Sequence, residues 1–279
     1  RWQGLLEGRE GSTQKAYTGR VREQQTKTYL DHLATQDPAA AAAVFGASGP
    51  SAGAWLQNFE GVPPLADQAF DVATKRRMHL PLLVAPCTCQ LRAAGGRGAV
   101  QTGPPCGRAI DAHCTHALSC PRGGGPVRRH NAIRDAVTQW LRGVGHQAQV
   151  EQVIQEWHSE QDGEAVLDIV YHRGLHGRVC LDISLVNSAA EAATHGRSFK
   201  AALQRRERAK HRRYPFQGLV PFVLDVNGRW GMEAETWLRR VLGDLPESER
   251  NEARVSLRSA VARALHSQVA EQIALATIS

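Results

Sequence analysis

The sequence predicts an α/β fold with a small central mixed sheet flanked by helices. An amphipathic helix comes before three strand-like runs, and a basic helix, an apolar strand and two further helices follow. This order of elements is typical of a small sheet that is covered by helices. In chain order the expected elements span residues 130–142, 149–157, 165–172, 178–186, 189–213, 219–226, 232–242 and 247–274.

Local patterns support each of these elements. Apolar residues recur at helical spacing from Ile133 to Leu141, and Gly143 ends that helix. The three following runs are rich in apolar and β-branched residues, and turn residues such as Asp162-Gly163 separate them. We therefore expect hairpin connections. The run LVPFVLDV at residues 219–226 predicts a buried strand.

The chain divides into four expected segments. A helical N-terminal segment precedes a cysteine-rich segment, and the α/β domain and a C-terminal helix follow. Their expected bounds are residues 1–83, 84–128, 129–245 and 246–279. An apolar stripe along the last helix predicts packing on the protein's own core or on a partner helix. The stripe consists of Leu257, Val261, Leu265, Val269 and Ile273.

Composition and charge indicate a globular chain that binds nucleic acid. Of 279 residues, 42% are hydrophobic and 22% are charged, which argues against disorder, and no stretch is long enough to span a membrane. Lys and Arg number 34 against 27 Asp and Glu. The excess is concentrated in residues 121–142 and 189–213. Clustered arginine is typical of a phosphate-binding surface, and a solvated helix face is the alternative.

Five cysteines and two histidines within residues 87–120 predict a metal site. Cys106 precedes a glycine, and His116 and Cys120 lie one helical turn apart. Cys89 would supply the fourth ligand, with Cys87 as the alternative. Cys114 is a competing candidate, and unliganded buried thiols are the simplest alternative. The expected ion is Zn²⁺, in a structural role.

Two strand-like runs each carry one carboxylate among apolar residues. These are Asp168 and Asp182. Because burying two carboxylates without compensation is expensive, we expect them to hold Mg²⁺ or Mn²⁺. Glu151 on the preceding run is a candidate third carboxylate, as is Glu156. The alternative is that each acid ends a strand or faces solvent.

Several motifs resemble one family of mobile-element proteins. His116-Ala-Leu-Ser-Cys120, a glycine-rich turn and then Arg129-His130-Asn131 resemble the zinc knuckle and restriction-like endonuclease region of non-LTR retrotransposon reverse transcriptases. Asp168 and Leu181-Asp182-Ile-Ser resemble the two acidic strands of the PD-(D/E)xK nuclease core. The resemblance extends over roughly residues 50–245. It departs from the motif at Leu167, where the family has Pro, and at Ser184, where it has Lys.

The resemblance implies a restriction-endonuclease-like core with a PD-(D/E)xK active site. Asp168 and Asp182 would be catalytic metal ligands, with Glu151 in support. Lys210 would be the displaced catalytic lysine on the following helix, and Lys200 is the alternative. The implied DNA-binding residues, some of which would instead support the site, are Arg129, His130, Arg205, Arg206, Arg208, Arg212 and Arg213.

The expected function is that of a metal-dependent DNA endonuclease. It would nick target DNA for retrotransposon integration in the nucleus, as part of a longer reverse-transcriptase protein, with element RNA as a further partner. One alternative is a catalytically inactive, zinc-containing nucleic-acid-binding module. Another is a structural or interaction domain.

Overall fold

The computed structural model describes residues 10–57, 59–93, 103–158, 163–174, 177–195 and 198–277. Side chains are described from residue 17 onward, except those of residues 194 and 195. Asp162 of the expected hairpin turn and the first nine residues of the N-terminal segment lie outside the described residues. No helix within these ranges combines the length and the apolar character that crossing a bilayer requires.

The described residues form a short strand pair and a four-stranded mixed sheet, which confirms the predicted class. The pair consists of β1 (Cys87–Thr88) and β2 (Ala109–Ile110), and it is antiparallel. The sheet has the order β3-β4-β5-β6. Its first three strands are antiparallel neighbours, and β6 runs parallel to β5. The strands are β3 (Gln149–Val153), β4 (Val166–His172), β5 (Arg178–Val186) and β6 (Leu219–Asp225).

Helices flank this sheet, and several of them precede its first strand in the chain. Within the described residues, short 3₁₀ helices lie in the connections between these elements: Ala54–Leu56, Arg122–Gly124, Gln155–Trp157 and Phe199–Ala201. The α-helices are α1 (Glu10–Gln36), α2 (Pro38–Gly46), α3 (Asp67–Arg77), α4 (Thr115–Ser119), α5 (Gly125–Gly143), α6 (Ser188–His195), α7 (Ala202–Arg213), α8 (Met232–Gly243) and α9 (Glu247–Thr277).

The two faces of the sheet pack against different helices because side chains alternate along a strand. Leu181 and Ile183 of β5 join one large core that includes residues of α5, α8 and α9. Val223 of β6 points to the other face, where it packs with Ala202 and Leu203 of α7. The position of α7 against the sheet is therefore fixed by apolar contacts.

Two predicted elements are corrected by the structure. The long basic helix expected at residues 189–213 is wrong, since α6 and α7 are separate and the 3₁₀ helix Phe199–Ala201 precedes α7. Phe199 is buried against the alanines of α2 and makes an edge contact with Phe45, so tertiary packing overrides helical continuity. The strand expected at residues 149–157 ends at Val153, and the 3₁₀ helix Gln155–Trp157 follows.

The apolar stripe of α9 packs on the protein's own core. All five of its residues, from Leu257 to Ile273, are buried in the same cluster as the apolar residues of α5 and the sheet. Trp140 of α5 also donates its indole N–H to the carbonyl of Ala253 at 2.9 Å. The stripe is therefore not available to a partner helix.

We expect Leu257→Ala to lower the free energy of unfolding by about 2–5 kcal/mol, because it leaves a cavity in this core. Leu275→Ala on the same helix is the control, since Leu275 is 40% exposed, and it should change stability by less than about 0.5 kcal/mol. Urea denaturation of both variants measures the difference. Equal effects would contradict this description of the core.

Candidate active site and candidate metal centre

The two predicted carboxylates lie where two strands of the sheet separate. The antiparallel ladder between β4 and β5 ends at the pair Ile169–Leu181. Continuing the same register places Asp168 opposite Asp182. The backbone N–H of Ile183 donates to Asp168 Oδ2 at 2.6 Å, so a side-chain oxygen satisfies this amide. The strands thus fork at the two acids.

Asp182 is the more deeply placed of the two acids, and only 6% of its surface is exposed. Burial raises the pKa of its carboxyl group, whereas the positive charge of Lys210 lowers it. The negative charge of Asp168 acts in the same direction as burial. Lys210 Nζ donates to Asp182 Oδ1 at 2.7 Å, which compensates part of the cost of burying a carboxylate.

His130 holds the other carboxylate. It lies in the first half of α5, and its Nε2 is 2.9 Å from Asp168 Oδ1. With the Ile183 amide on Oδ2, both oxygens of Asp168 have a protein partner. The two carboxylates are thereby held in fixed orientations by groups from three different elements.

Two contacts with α8 position the helix that carries Lys210. The Glu207 carboxylate accepts a hydrogen bond from the backbone N–H of Glu233 in the first turn of α8, at 3.0 Å. One turn further along α7, His211 Nε2 lies 2.8 Å from the Glu233 carboxylate. The alternative lysine, Lys200, is directed elsewhere and pairs with Asp31 of α1 at 2.5 Å. Of the two candidates, only Lys210 reaches the carboxylates.

An open cleft of about 590 Å³ contains both carboxylates. Its basic lining residues include Lys210, Arg206 and Arg213, which follow one another at helical spacing along a single face of α7. Arg208 and Arg212 are exposed elsewhere on the same helix. Arg205 pairs with Glu191 of α6 at 2.8 Å instead. Glu164 and Arg129 also line the cleft, which therefore combines three acids with four cations.

Two other predicted acids do not join the cleft. The flanking pairs between β3 and β4 leave Glu151 opposite Asp168 in register. However, Glu151 has a φ of +51°, and its carboxylate pairs with Arg134 of α5. The left-handed backbone and this ion pair direct Glu151 away from Asp168. Glu156 pairs with Arg178.

Arg129 of the predicted DNA-contacting set is buried at the base of α5 and lines the cleft. Only 3% of its surface is exposed, and its guanidinium donates to the carbonyl of Leu118 at 2.7 Å and to the side chain of Gln272. Burial raises the cost of its charge and lowers its pKa to about 10. Arg129 therefore joins α4, α5 and α9, whereas the exposed arginines of α7 face solvent.

A second constellation lies in the cysteine-rich segment. Ligand atoms of Cys89, Cys106, His116 and Cys120 all lie within 4.8 Å of one another. Cys89 and Cys120 are fully buried, and Cys106 Sγ is 3.4 Å from His116 Nε2. Three thiols and one imidazole at these separations form a group that could bind a metal ion such as zinc. Cys87 and Cys114 lie outside this group.

Local structure brings these four residues together. Cys89 follows β1, and Cys106 precedes β2. Gly107 directly follows Cys106 and has a φ of +71°, which favours glycine. His116 lies on α4, and Cys120 directly follows that helix. The strand pair and the short helix each contribute two ligand atoms.

Some contacts that hold the site leave no signal in the sequence. The Ile183 amide leaves no sequence signal, since any residue supplies an N–H group. The contact between His130 and Asp168 joins residues 38 positions apart. The sequence matches no protein-family model and no curated protein.

Lys210→Met should destabilise the protein by roughly 3 kcal/mol at pH 8, because it leaves Asp182 buried without its cation. The variant raises the folded-state pKa of Asp182 further, so its penalty grows as pH rises through that pKa. In acid, where Asp182 is protonated, the penalty is smallest. Lys200→Met is the matched control, because its ion pair is exposed and is worth less than about 1 kcal/mol. Denaturation curves at several pH values test this, and a pH-independent penalty would contradict it.

Cys89→Ser should abolish stoichiometric metal binding by the purified protein, because it removes a buried thiolate ligand. Cys87→Ser should leave the metal content unchanged, since Cys87 lies outside the group. Elemental analysis by mass spectrometry measures both. If Cys87→Ser loses metal as completely as Cys89→Ser does, the ligand set is different.

Proposed function

We propose that this protein is a metal-dependent DNA endonuclease of the PD-(D/E)xK class, related to the restriction-like endonuclease region of non-LTR retrotransposon proteins. One observation carries the proposal: Asp168, Asp182 and Lys210 converge at a strand fork inside a basic cleft. A helix, three antiparallel strands, the two helices α6 and α7 and a parallel strand follow in this order, which agrees with the core that the resemblance implies.

The donor set fits a hard divalent cation. Asp168 and Asp182 offer carboxylate oxygens, which are the ligands that Mg²⁺ and Mn²⁺ prefer. A bound ion of this kind supplies Lewis-acid polarisation of a phosphate and a more acidic bound water. His130 would keep Asp168 in position for this ion. Lys210 would orient the attacking water and stabilise the negative charge that develops on the phosphate.

The basic face of α7 suits a phosphodiester backbone. Arg206 and Arg213 line the same cleft as the carboxylates, and Arg208 and Arg212 extend the positive charge beyond it. Arginine matches phosphate oxygens in bidentate geometry. Contacts of this kind position DNA without reading its sequence. The proposed substrate is therefore DNA bound through its backbone.

The cysteine group is proposed to hold a structural Zn²⁺ ion. Three cysteines and one histidine are a typical closed zinc site. The group lies beside the proposed nuclease core, because α4 of this segment contacts α5 through Arg129. Zinc binding would thereby stabilise the helix that carries His130.

The biological setting follows from the resemblance alone. We propose that the nuclease nicks target DNA in the nucleus for integration of an element, as part of a longer reverse-transcriptase protein. Element RNA would be a second nucleic-acid partner.

We expect the protein to nick supercoiled plasmid in Mg²⁺ or Mn²⁺ and not when the divalent cation is omitted. Asp182→Asn should reduce nicking by at least about 10³-fold, since it removes a charged ligand of the reacting ion, while plasmid binding is retained. Asp31→Asn is the control, because Asp31 forms an exposed ion pair and does not line the cleft. Gel electrophoresis of plasmid topoisomers measures the nicking.

Two outcomes would reject the nuclease. Full nicking by a clean Asp182→Asn preparation would show that the activity comes from elsewhere. DNA binding that falls steeply with salt, with no cleavage in any divalent cation, would identify a non-catalytic binding module instead.

A further inference from the structure

Three aromatic rings form a continuous ladder beside the cleft. Tyr214 lines the cleft, and its ring centroid lies 6.2 Å from that of Trp157. Trp157 in turn stacks on Phe216, with centroids 5.1 Å apart and planes 13° from parallel. We call Tyr214, Trp157 and Phe216 the aromatic ladder. It leads from the carboxylate cleft to the protein surface.

The outer ring of the ladder is exposed and its inner rings are not. Phe216 is 40% exposed, whereas Trp157 and Tyr214 are buried. Stacking on the buried Trp157 supports the Phe216 ring from behind, so little side-chain entropy remains to be lost on binding. Two further exposed apolar residues, Val153 and Val166, pair across β3 and β4, and Val166 also lines the cleft. An apolar surface therefore borders the two carboxylates.

Positive charge lies next to this apolar surface. The Arg213 guanidinium stands 4.9 Å from the centre of the Tyr214 ring and lines the cleft together with Arg206 and Lys210. Arg178 also lies against the ladder, 6.0 Å from the Trp157 ring, but Glu156 neutralises it. The matching occupant has a flat apolar face joined to a phosphate. A nucleotide whose base is not stacked in a duplex has this chemistry.

We propose that Phe216 is a stacking platform for an unpaired base whose neighbouring phosphate lies in the cleft. Bases in a continuous duplex are stacked on one another and cannot reach the platform without an unstacking cost. The protein therefore prefers DNA that contains unpaired nucleotides next to the bound phosphate over fully paired DNA. This inference rests on the proposed function, because it assumes that the cleft binds DNA.

The test compares the affinity for a short blunt duplex with that for the same duplex bearing a single-stranded extension. Fluorescence anisotropy without added Mg²⁺ or Mn²⁺ measures binding in the absence of cleavage. We expect the wild-type protein to bind the extended DNA at least about fivefold more tightly, the lower limit for one stacked base. Phe216→Ala should lose this preference, and Phe216→Trp should retain it. A 2-aminopurine base in the extension should be quenched only where the preference is retained.

Phe70→Ala is the matched control. Phe70 is 47% exposed and packs against Trp55 with centroids 5.4 Å apart, but it lies on α3 and does not line the cleft. It should retain the preference. An unchanged preference in Phe216→Ala, or equal loss of affinity for both DNAs, would overturn the platform and leave the nuclease proposal standing. Failure of the wild-type protein to bind either DNA would overturn both.

Discussion

The ion pair between Asp182 and Lys210 is the constraint on which the rest of the site depends. A carboxylate on β5, one of the two inner strands of the sheet, is buried at high cost, and the ammonium group 2.7 Å away compensates it. That pairing requires α7 to lie over the sheet with Lys210 directly beside Asp182, which defines the height of the helix above the strands. Apolar contacts with β6 and the cap that Glu207 provides to α8 fix that height. The basic face of α7 is therefore directed toward the carboxylates by the same contacts that stabilise the fold.

The opposite side of the site depends on the cysteine-rich segment. Arg129 donates to the carbonyl of Leu118, and Gln272 of α9 donates to the carbonyl of Ala117 at 2.6 Å. Both carbonyls belong to α4, which carries His116 of the candidate metal centre. Arg129 and His130 are consecutive on α5. The contact of Arg129 with α4 therefore helps to position the histidine that contacts Asp168. The candidate metal centre and the candidate active site thus share one packed unit.

Much of the fold could be predicted because its signals are local. Apolar periodicity located α5, α8 and α9, and β-type runs located β4, β5 and β6. Errors arose where distant contacts decided the outcome. Burial of Phe199 against α2 separates two helices that composition alone would join. The burial of Arg129 between α4 and α9 likewise depends on contacts that are distant in sequence.

The sequence by itself determined which residue types were available: five cysteines and two histidines in one short segment, one acid in each of two apolar strands, and a basic segment rich in arginine. Only the tertiary structure decided which of them meet. Register places Glu151 opposite Asp168, but its left-handed backbone and Arg134 direct it elsewhere. The packing of the helices brings Lys210, and not Lys200, to Asp182, and it brings His130 to Asp168. The physical reason is that spacing along the chain sets local direction, whereas distances across the chain are set by how the sheet and helices pack.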